Sequence, residues 1–435
     1  MSREMKDSGV EWIGEIPEDW EIIPNKHLMK KVKDLCSVYN GEDILSLSMK
    51  GVYVRDPDDE SGKRPTTYNG YQHVQEGNLL MCLFDIDVTP RCVGRVYNNG
   101  LTSPAYSRFV MNETRAIVDY YYYYYLALDF DKTLLHLSKN MRSSLTESDF
   151  GSINAPVPSP TEQQQIVHFL DRKCTAIDTA IEKTKKSIEK LEEYKKAVIT
   201  KAVTKGIDPN AKMKDSGVEW IGEIPEGMDI IRIKFISDIF GRIGFRGYTQ
   251  DDLVNEGDGA ISLSPSNLKS FRMSYDKCTY ISWSKYEESP EIKIENGDIL
   301  FVKTGSSYGK SCIVKDLPEK ATINPQLIVF KNIKCNNKYL FYLLQTWIVD
   351  TQTQWYVTGG TIPTMSQDKI ANFYLPYYKG NYKQQQIVHF LDRKCTAIDT
   401  AIEKKKKAIE KWEEYKKSLI YYTVTGKIDC RGEEL

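Results

Sequence analysis

Histidine is scarce in this chain, with five in 435 residues. Two of them, His168 and His389, share one position of a repeated segment, which ties them to a framework rather than to a reaction centre. HExxH and a spaced Cys/His cluster are both missing, so the signatures of a zinc protease and a zinc finger are absent. GxGxxG is missing as well, and with it the dinucleotide-binding loop. The nine cysteines lie scattered, with no CxxC pair and no dense, even spacing. Free thiols in a reducing cytoplasm are the expectation. No apolar run approaches the ~18 residues of a membrane span. The opening MSREMKDSGV lacks the apolar centre of a secretory signal. Neither charge sign is in excess, since the formal net charge is −1. Any surface for a polyanion must therefore be a local patch on a balanced body.

What the chain has instead is duplication. QQQIVHFLDRKCTAIDTAIEK occupies 163–183 and returns unchanged at 384–404, an offset of 221. MKDSGVEWIGEIPE occupies 5–18 and returns at 213–226, an offset of 208. The chain thus reads as short block, variable body, long block, twice. Length alone suggests two to four domains.

The long blocks read as helices. Steps of three and four from Val167 give Val167, Leu170, Cys174, Ile177, Ile181, Thr184, Ile188, Leu191, Lys195, Val198 and Ala202, nearly all apolar. The second copy repeats the stripe through Leu391, Ile398, Ile402, Ile409 and Trp412. This spacing fits a coiled-coil seam, predicted here over Leu170, Ile177, Ile181, Ile188 and Leu191 against those five. Ser159 to Glu162 forms a capping-box pattern with Pro160 at the first helical position. Asn381 and Gln384 are expected to do the same for the second copy. Gly206 and Gly426 stand where the helices close. Each helix then runs about 40 residues, or ~60 Å at 1.5 Å per residue. One greasy stripe of that length needs a partner, and the nearest is its own duplicate. An antiparallel pair related by a pseudo-two-fold axis is favoured over pairing with another chain, because loop closure costs little even across a domain.

The variable bodies differ in letters but share an outline. EGNLLMCLF (76–84) matches NGDILFVKTG (296–305), a turn feeding a buried strand. LTSPAYSRFVM (101–111) matches ATINPQLIVFK (321–331). DILSLSMKGVYVRD (43–56) reads as a strand and its return. The six tyrosines at 120–125 match NKYLFYL (337–343), so a packed helix is favoured over a stacking platform for bases. GSSYGK at 305–310 falls one residue short of a phosphate loop. An amino-methyltransferase needs an Asn/Asp-Pro-Pro-aromatic stretch. The nearest sequences, at 154–156 and 324–326, break it.

In its layout the chain resembles the specificity subunits of Type I restriction–modification systems. The resemblance rests on DSGVEWIGEIPE opening each half, on GDILF followed by TGSSYGK at 297–310, and on EQQQIVHFLDRKCTAID opening a long helix. One local departure is PEDW at 17–20 against PEGM at 225–228, which removes an aromatic anchor from the second half. The resemblance implies an α+β fold with two mixed α/β target recognition domains on an antiparallel coiled coil. It implies domain limits of 1–20, 21–158, 159–208, 209–227, 228–380 and 381–429. It also implies that each domain reads one half of a split site in double-stranded DNA, while the helices set the spacing and dock two methyltransferase subunits. S-adenosylmethionine and ATP chemistry would then belong to methyltransferase and restriction partners, with no cofactor or metal in this chain, no membrane and a cytoplasmic location. Alternatives left open are a stand-alone DNA methyltransferase and a protein-binding coiled-coil adaptor.

Basic residues on apparent loops are the candidates for DNA contact. They are Lys50, Arg55, Lys63, Arg64, Arg91 and Arg142 in the first body, and Arg242, Arg246, Lys303 and Lys310 in the second.

Overall fold

The computed structural model describes residues 3–432 except 57–64, 138–142, 243, 245–246, 270–271 and 358–362. The chain divides into two compact units, one made of residues 1–185 with 406–435 and the other of 186–405.

In the first unit the short block is a hairpin, with Met5–Asp7 antiparallel to Glu15–Pro17. Its turn is held by local side chains: the Gly9 amide donates to Asp7 Oδ1 at 2.9 Å and the Val10 amide to Ser8 Oγ at 3.1 Å. Glu21–Pro24 pairs with Asn154–Val157. A four-stranded antiparallel sheet follows, in the order Met29–Val32, Ser107–Met111, Leu79–Met81, Val93–Arg95. Leu45–Ser48 and Gly51–Val54 form the hairpin expected at 43–56.

The second unit rebuilds this plan from different letters. Its short block repeats the hairpin at Met213–Asp215 and Glu223–Pro225, with the same two turn bonds at Gly217 and Val218. Its sheet runs Asp238–Gly241, Leu327–Lys331, Ile299–Val302, Ser311–Ile313, the same order as in the first unit. One turn shows why the pattern survives. Gly77 and Gly297 sit at φ +83° and +100° before the inner strand, where a Cβ would be strained. The next residue closes each turn: Asn78 Oδ1 accepts from the Gln75 amide and Asp298 Oδ2 from the Glu295 amide, both at 2.9 Å. The second unit also carries a sheet of its own, in which Gly259–Leu263 lies parallel to Ala321–Ile323 and antiparallel to Thr279–Ser282.

The tyrosine run is the helix Val118–Phe130, and Tyr120, Tyr121, Tyr123, Tyr124 and Tyr125 are buried. Their hydroxyls find partners rather than solvent. Tyr120 donates to Val424 O at 2.9 Å, Tyr121 to Pro156 O at 3.2 Å and Tyr123 to Asp171 Oδ1 at 2.5 Å, while Tyr125 bonds Asn25. Burial holds these phenols well above their ordinary pKa, so they stay protonated donors. In the second unit Tyr342 donates to Asp392 Oδ1 at 2.8 Å, the repeat position of Asp171.

The first long helix is Pro160–Lys205 and the second is Asn381–Val424. Gly206 and Gly426, at φ +73° and +76°, follow their ends. The Glu162 amide donates to Ser159 Oγ at 3.3 Å, which is half of the expected capping box. The Glu162 carboxylate turns away instead. It accepts from the Trp20 indole at 3.0 Å and pairs with Arg3, whose guanidinium lies over the Trp20 ring. All three residues change together in the second half, to Lys383, Met228 and Ala211. The box expected at Asn381 and Gln384 does not form. Asn381 is already helical, and Gln384 binds Tyr378 O and the Asn336 amide. Its repeat partner Gln163 does the same work, accepting from the Ile117 amide and donating to Arg115 O and Pro158 O.

Within the first unit, Ile166, Leu170, Cys174, Ile177 and Ile181 share a core with Leu419, Ile420 and Val424, and Lys416 Nζ meets Asp178 at 2.7 Å. Within the second, Ile199, Ala202 and Val203 share a core with Ile387, Val388, Leu391 and Cys395, and Lys195 Nζ meets Asp399 at 2.7 Å. Ile398 and Ile402 are buried, while Ile188, Leu191 and Ile409 are half-buried. Trp412 departs from its predicted seam position. It is 40 % exposed and packs edge-on against Tyr415. The stripe itself continues, since Leu419 and Thr423, later positions of the same count, are buried; the exposure at Trp412 is local to the middle of the helix, where no side chain between Ile402 and Leu419 is buried.

Candidate nucleic-acid interface

The structure separates the ten basic candidates. Lys50 is exposed in the tight turn of the 45–54 hairpin, beside exposed Met49 and Tyr53. Arg55 is half-buried, and its amide donates to Ile44 O. Arg91 faces Asp129 at 3.6 Å and lies over the Phe130 ring, so its charge is already engaged. Lys63, Arg64, Arg142 and Arg246 fall outside the described residues.

Arg242 is corrected by the structure. GRIGFRG suggests a surface loop, yet Arg242 is 3 % exposed. Its Nε donates to Ile323 O at 3.1 Å and its Nη2 to Thr322 Oγ1 at 3.2 Å, over the Tyr248 ring. Burial draws its pKa down, with Tyr248 opposing that. This side chain fastens the second sheet of its unit and has no free face for a ligand.

Lys303 and Lys310 bracket a turn on the second unit. Lys310 is exposed and Lys303 half-buried. Burial alone pulls the Lys303 ammonium below its ordinary pKa. Among the described residues that ammonium has no hydrogen-bond or ion-pair partner. A cation that has already lost water gains more from a new acceptor than a fully solvated one does. The turn is pinned by its own backbone: Lys303 N donates to Gln326 O at 2.9 Å and Met365 N to Lys303 O at 3.0 Å. Thr304 and Thr364 hydroxyls meet at 2.6 Å. Asn324 and Gln326 lock each other, with Asn324 Nδ2 donating to Gln326 Oε1 at 3.1 Å and Gln326 N to Asn324 Oδ1 at 3.0 Å. Exposed Gln326 is thereby held as a preset amide. The letters ATINPQL do not mark it, because only the fold sets Gln326 beside the turn that follows the inner strand.

The same turn in the first unit has other chemistry. There Asp85, at φ +46°, stands where Gly305 has φ +102°. Phe84 stacks on Tyr106 at 6.4 Å and 27°, and Val88 is 74 % exposed. One scaffold therefore presents an amide, hydroxyls and a lysine in one unit, and an aromatic and apolar face in the other. Among the described residues no group of three or more His, Cys, Asp or Glu could hold a metal ion, and no helix is long and apolar enough to cross a membrane.

Comparison with known proteins agrees with this duplicated plan. The Type I restriction enzyme MjaVIII specificity subunit of Methanocaldococcus jannaschii is 26 % identical over 293 residues, 65 % of this chain and 64 % of the relative. The match thus spans a little under two thirds of that protein's length. The putative type I restriction enzyme MjaX specificity subunit of the same organism is 24 % identical over 440 residues, 96 % of this chain and 95 % of the relative. A chain from a solved structure on complex assembly and conformational transition of the type I R-M system shares the fold. Its TM-score is 0.68 at 12 % identity, covering 95 % of this chain and 99 % of that one. A family model described as the Type I restriction modification DNA specificity domain matches twice, at 24–193 and 243–411. Each match takes in one variable body and much of the long helix after it, so the chain belongs to the family of Type I restriction–modification specificity proteins.

Proposed function

We propose that this chain is the sequence-specific DNA-binding subunit of a Type I restriction–modification complex. Each unit reads one half of a bipartite target. The two long helices pair antiparallel as a coiled coil with pseudo-two-fold symmetry, set the gap between half-sites and dock two methyltransferase subunits. Specificity subunits are non-catalytic, so methyl transfer from S-adenosylmethionine and ATP-driven steps are assigned to methyltransferase and restriction partners.

The observation that carries this reading is the pair of equivalent turns with unlike faces. Hydrogen-bonding groups such as Gln326 and Lys303 suit the donor and acceptor pattern of base edges, whereas an aromatic and apolar face suits thymine methyl groups and stacking. Two readers of different chemistry on one repeated frame are what a split, asymmetric target requires. Support for the helix pair comes from within each unit, where Asp178 meets Lys416 and Asp399 meets Lys195. Tyr194 and Tyr415, one repeat position, are 53 % and 50 % exposed, which suits matched docking surfaces.

Co-expression with the partner methyltransferase, followed by mapping of methylated adenines, tests the reading. A bipartite motif with two unlike halves and a fixed gap is expected. A contiguous motif, or methyl transfer by the purified chain alone, would overturn it.

A further inference from the structure

The two long helices share 21 consecutive residues. Their apolar spacing alone cannot tell one pairing direction from the other, because a stripe fits its duplicate in either sense. Charge can. Asp178 and Asp399 are one repeat position, and so are Lys195 and Lys416. If the helices ran parallel and in register, each residue would face its own duplicate. Asp178 would then oppose Asp399, and Lys195 would oppose Lys416. The structure has the crossed combination at both places. Lys416 Nζ donates to both Asp178 oxygens at 2.7 Å, and Lys195 Nζ to both Asp399 oxygens at 2.7 and 2.9 Å.

The location of these pairs gives them weight. Between Ile181 and Ile199 the first helix buries one side chain, Lys195, at 8 % exposure. Between Ile402 and Leu419 the second helix buries none. The middle of each helix is where apolar packing is thinnest, and a charged group occupies its seam. A hydrophobic residue there would hold as well or better, since the Lys195–Asp399 pair is only partly buried and the Lys416–Asp178 pair is open to solvent, and neither setting makes an ion pair a strong source of stability. Polar seam residues do fix register and orientation in coiled coils, at some cost in stability.

We propose that Asp178, Lys195, Asp399 and Lys416 form an orientation code that permits antiparallel pairing of the duplicated helices and penalises parallel pairing. The proposal rests on the antiparallel reading given above. It assigns these four residues a positioning role: through helix direction they govern which way the second reader faces along the DNA.

The test uses the full chain in three forms, all carrying Arg272→Ala because that cation lies 3.9 Å from Asp399. One is otherwise wild type. The second inverts one helix, with Asp399→Lys and Lys416→Asp, so that antiparallel pairing sets like charges together. The third inverts both, adding Asp178→Lys and Lys195→Asp, which restores both helix-to-helix pairs with their signs reversed. Spin labels introduced through an unnatural amino acid at Lys173 and Lys394, one exposed repeat position, report direction by their separation. Antiparallel pairing sets them about 40 Å apart and parallel pairing about 10 Å apart, from ~1.5 Å per residue and helix-to-helix packing distance. The wild type and the double inversion are expected to share the long distance and the melting temperature. The single inversion is expected to lose the long distance and to melt about 5 °C lower or more. A single inversion that keeps both wild-type values, or a double inversion that recovers neither, overturns the code. A short distance in the wild type overturns the antiparallel reading itself, which is a separate outcome.

Discussion

Gln163 is fully buried, and its side chain joins the long helix to the recognition body by three hydrogen bonds. One of them, at 2.8 Å, takes the amide of Ile117, the residue that caps the tyrosine helix. Gln163→Ala strands that amide and two carbonyls away from full solvent. An unsatisfied buried group costs ~1–3 kcal/mol, less for carbonyls with a second lone pair used elsewhere, so about 4 kcal/mol is expected in total. For a unit of this size that lowers the melting temperature by roughly 10 °C. Gln384→Ala removes two bonds, to the Asn336 amide and Tyr378 O, and should cost about 3 kcal/mol by the same scale. Calorimetry gives the totals. Amide exchange at Ile117 and at Asn336 shows whether the loss is local, each amide responding only to the variant in its own unit. A loss below about 1 kcal/mol at Gln163, or exchange unchanged at Ile117, would refute the reasoning, because no buried donor would have been stranded.

Three side chains that change together should couple energetically. Glu162→Lys leaves Arg3 facing a like charge and the Trp20 indole N–H without its acceptor, and should cost about 3 kcal/mol, which Arg3→Ala and Trp20→Met added to it should partly relieve; chemical denaturation showing simply additive losses would contradict this. Ile402, 7 % exposed, lies on the proposed helix seam. Ile402→Asp should cost about 4 kcal/mol and abolish assembly with two methyltransferase subunits, and sedimentation that still finds an intact 2:1 complex would count against the proposed docking.

The sequence yielded most where a repeat or a period was at work. A stripe at steps of three and four is visible in the letters, and so the long helices were legible to within a few residues of Pro160–Lys205 and Asn381–Val424. Glycine turns flanking an apolar run marked the inner strands. The tyrosine run became readable only beside its counterpart at 337–343. What was hidden depends on tertiary neighbours. Nothing local distinguishes Arg242, buried against Thr322 and Ile323, from an arginine in water. Asn381 has capping chemistry, but the helix starts one residue too early for it to cap, and Gln384 is drawn to Asn336 from another element. Gln326 became a candidate only when the fold set it beside the 303–310 turn. Trp412 keeps the period but lies between Ile402 and Leu419, where its helix buries no side chain, and a period in the letters does not show that.

Two unlike readers acting independently on one repeated frame should be separable by mutation. Mapping methylated adenines made by a chain carrying Lys303→Ala and Gln326→Ala, with its partner methyltransferase, tests it most directly. One half of the motif is expected to relax or be lost, by roughly 10- to 100-fold per affected base at ~1–3 kcal/mol, while the other half and the gap stay fixed. Relaxation in both halves, a changed gap, or an unaltered motif would contradict it.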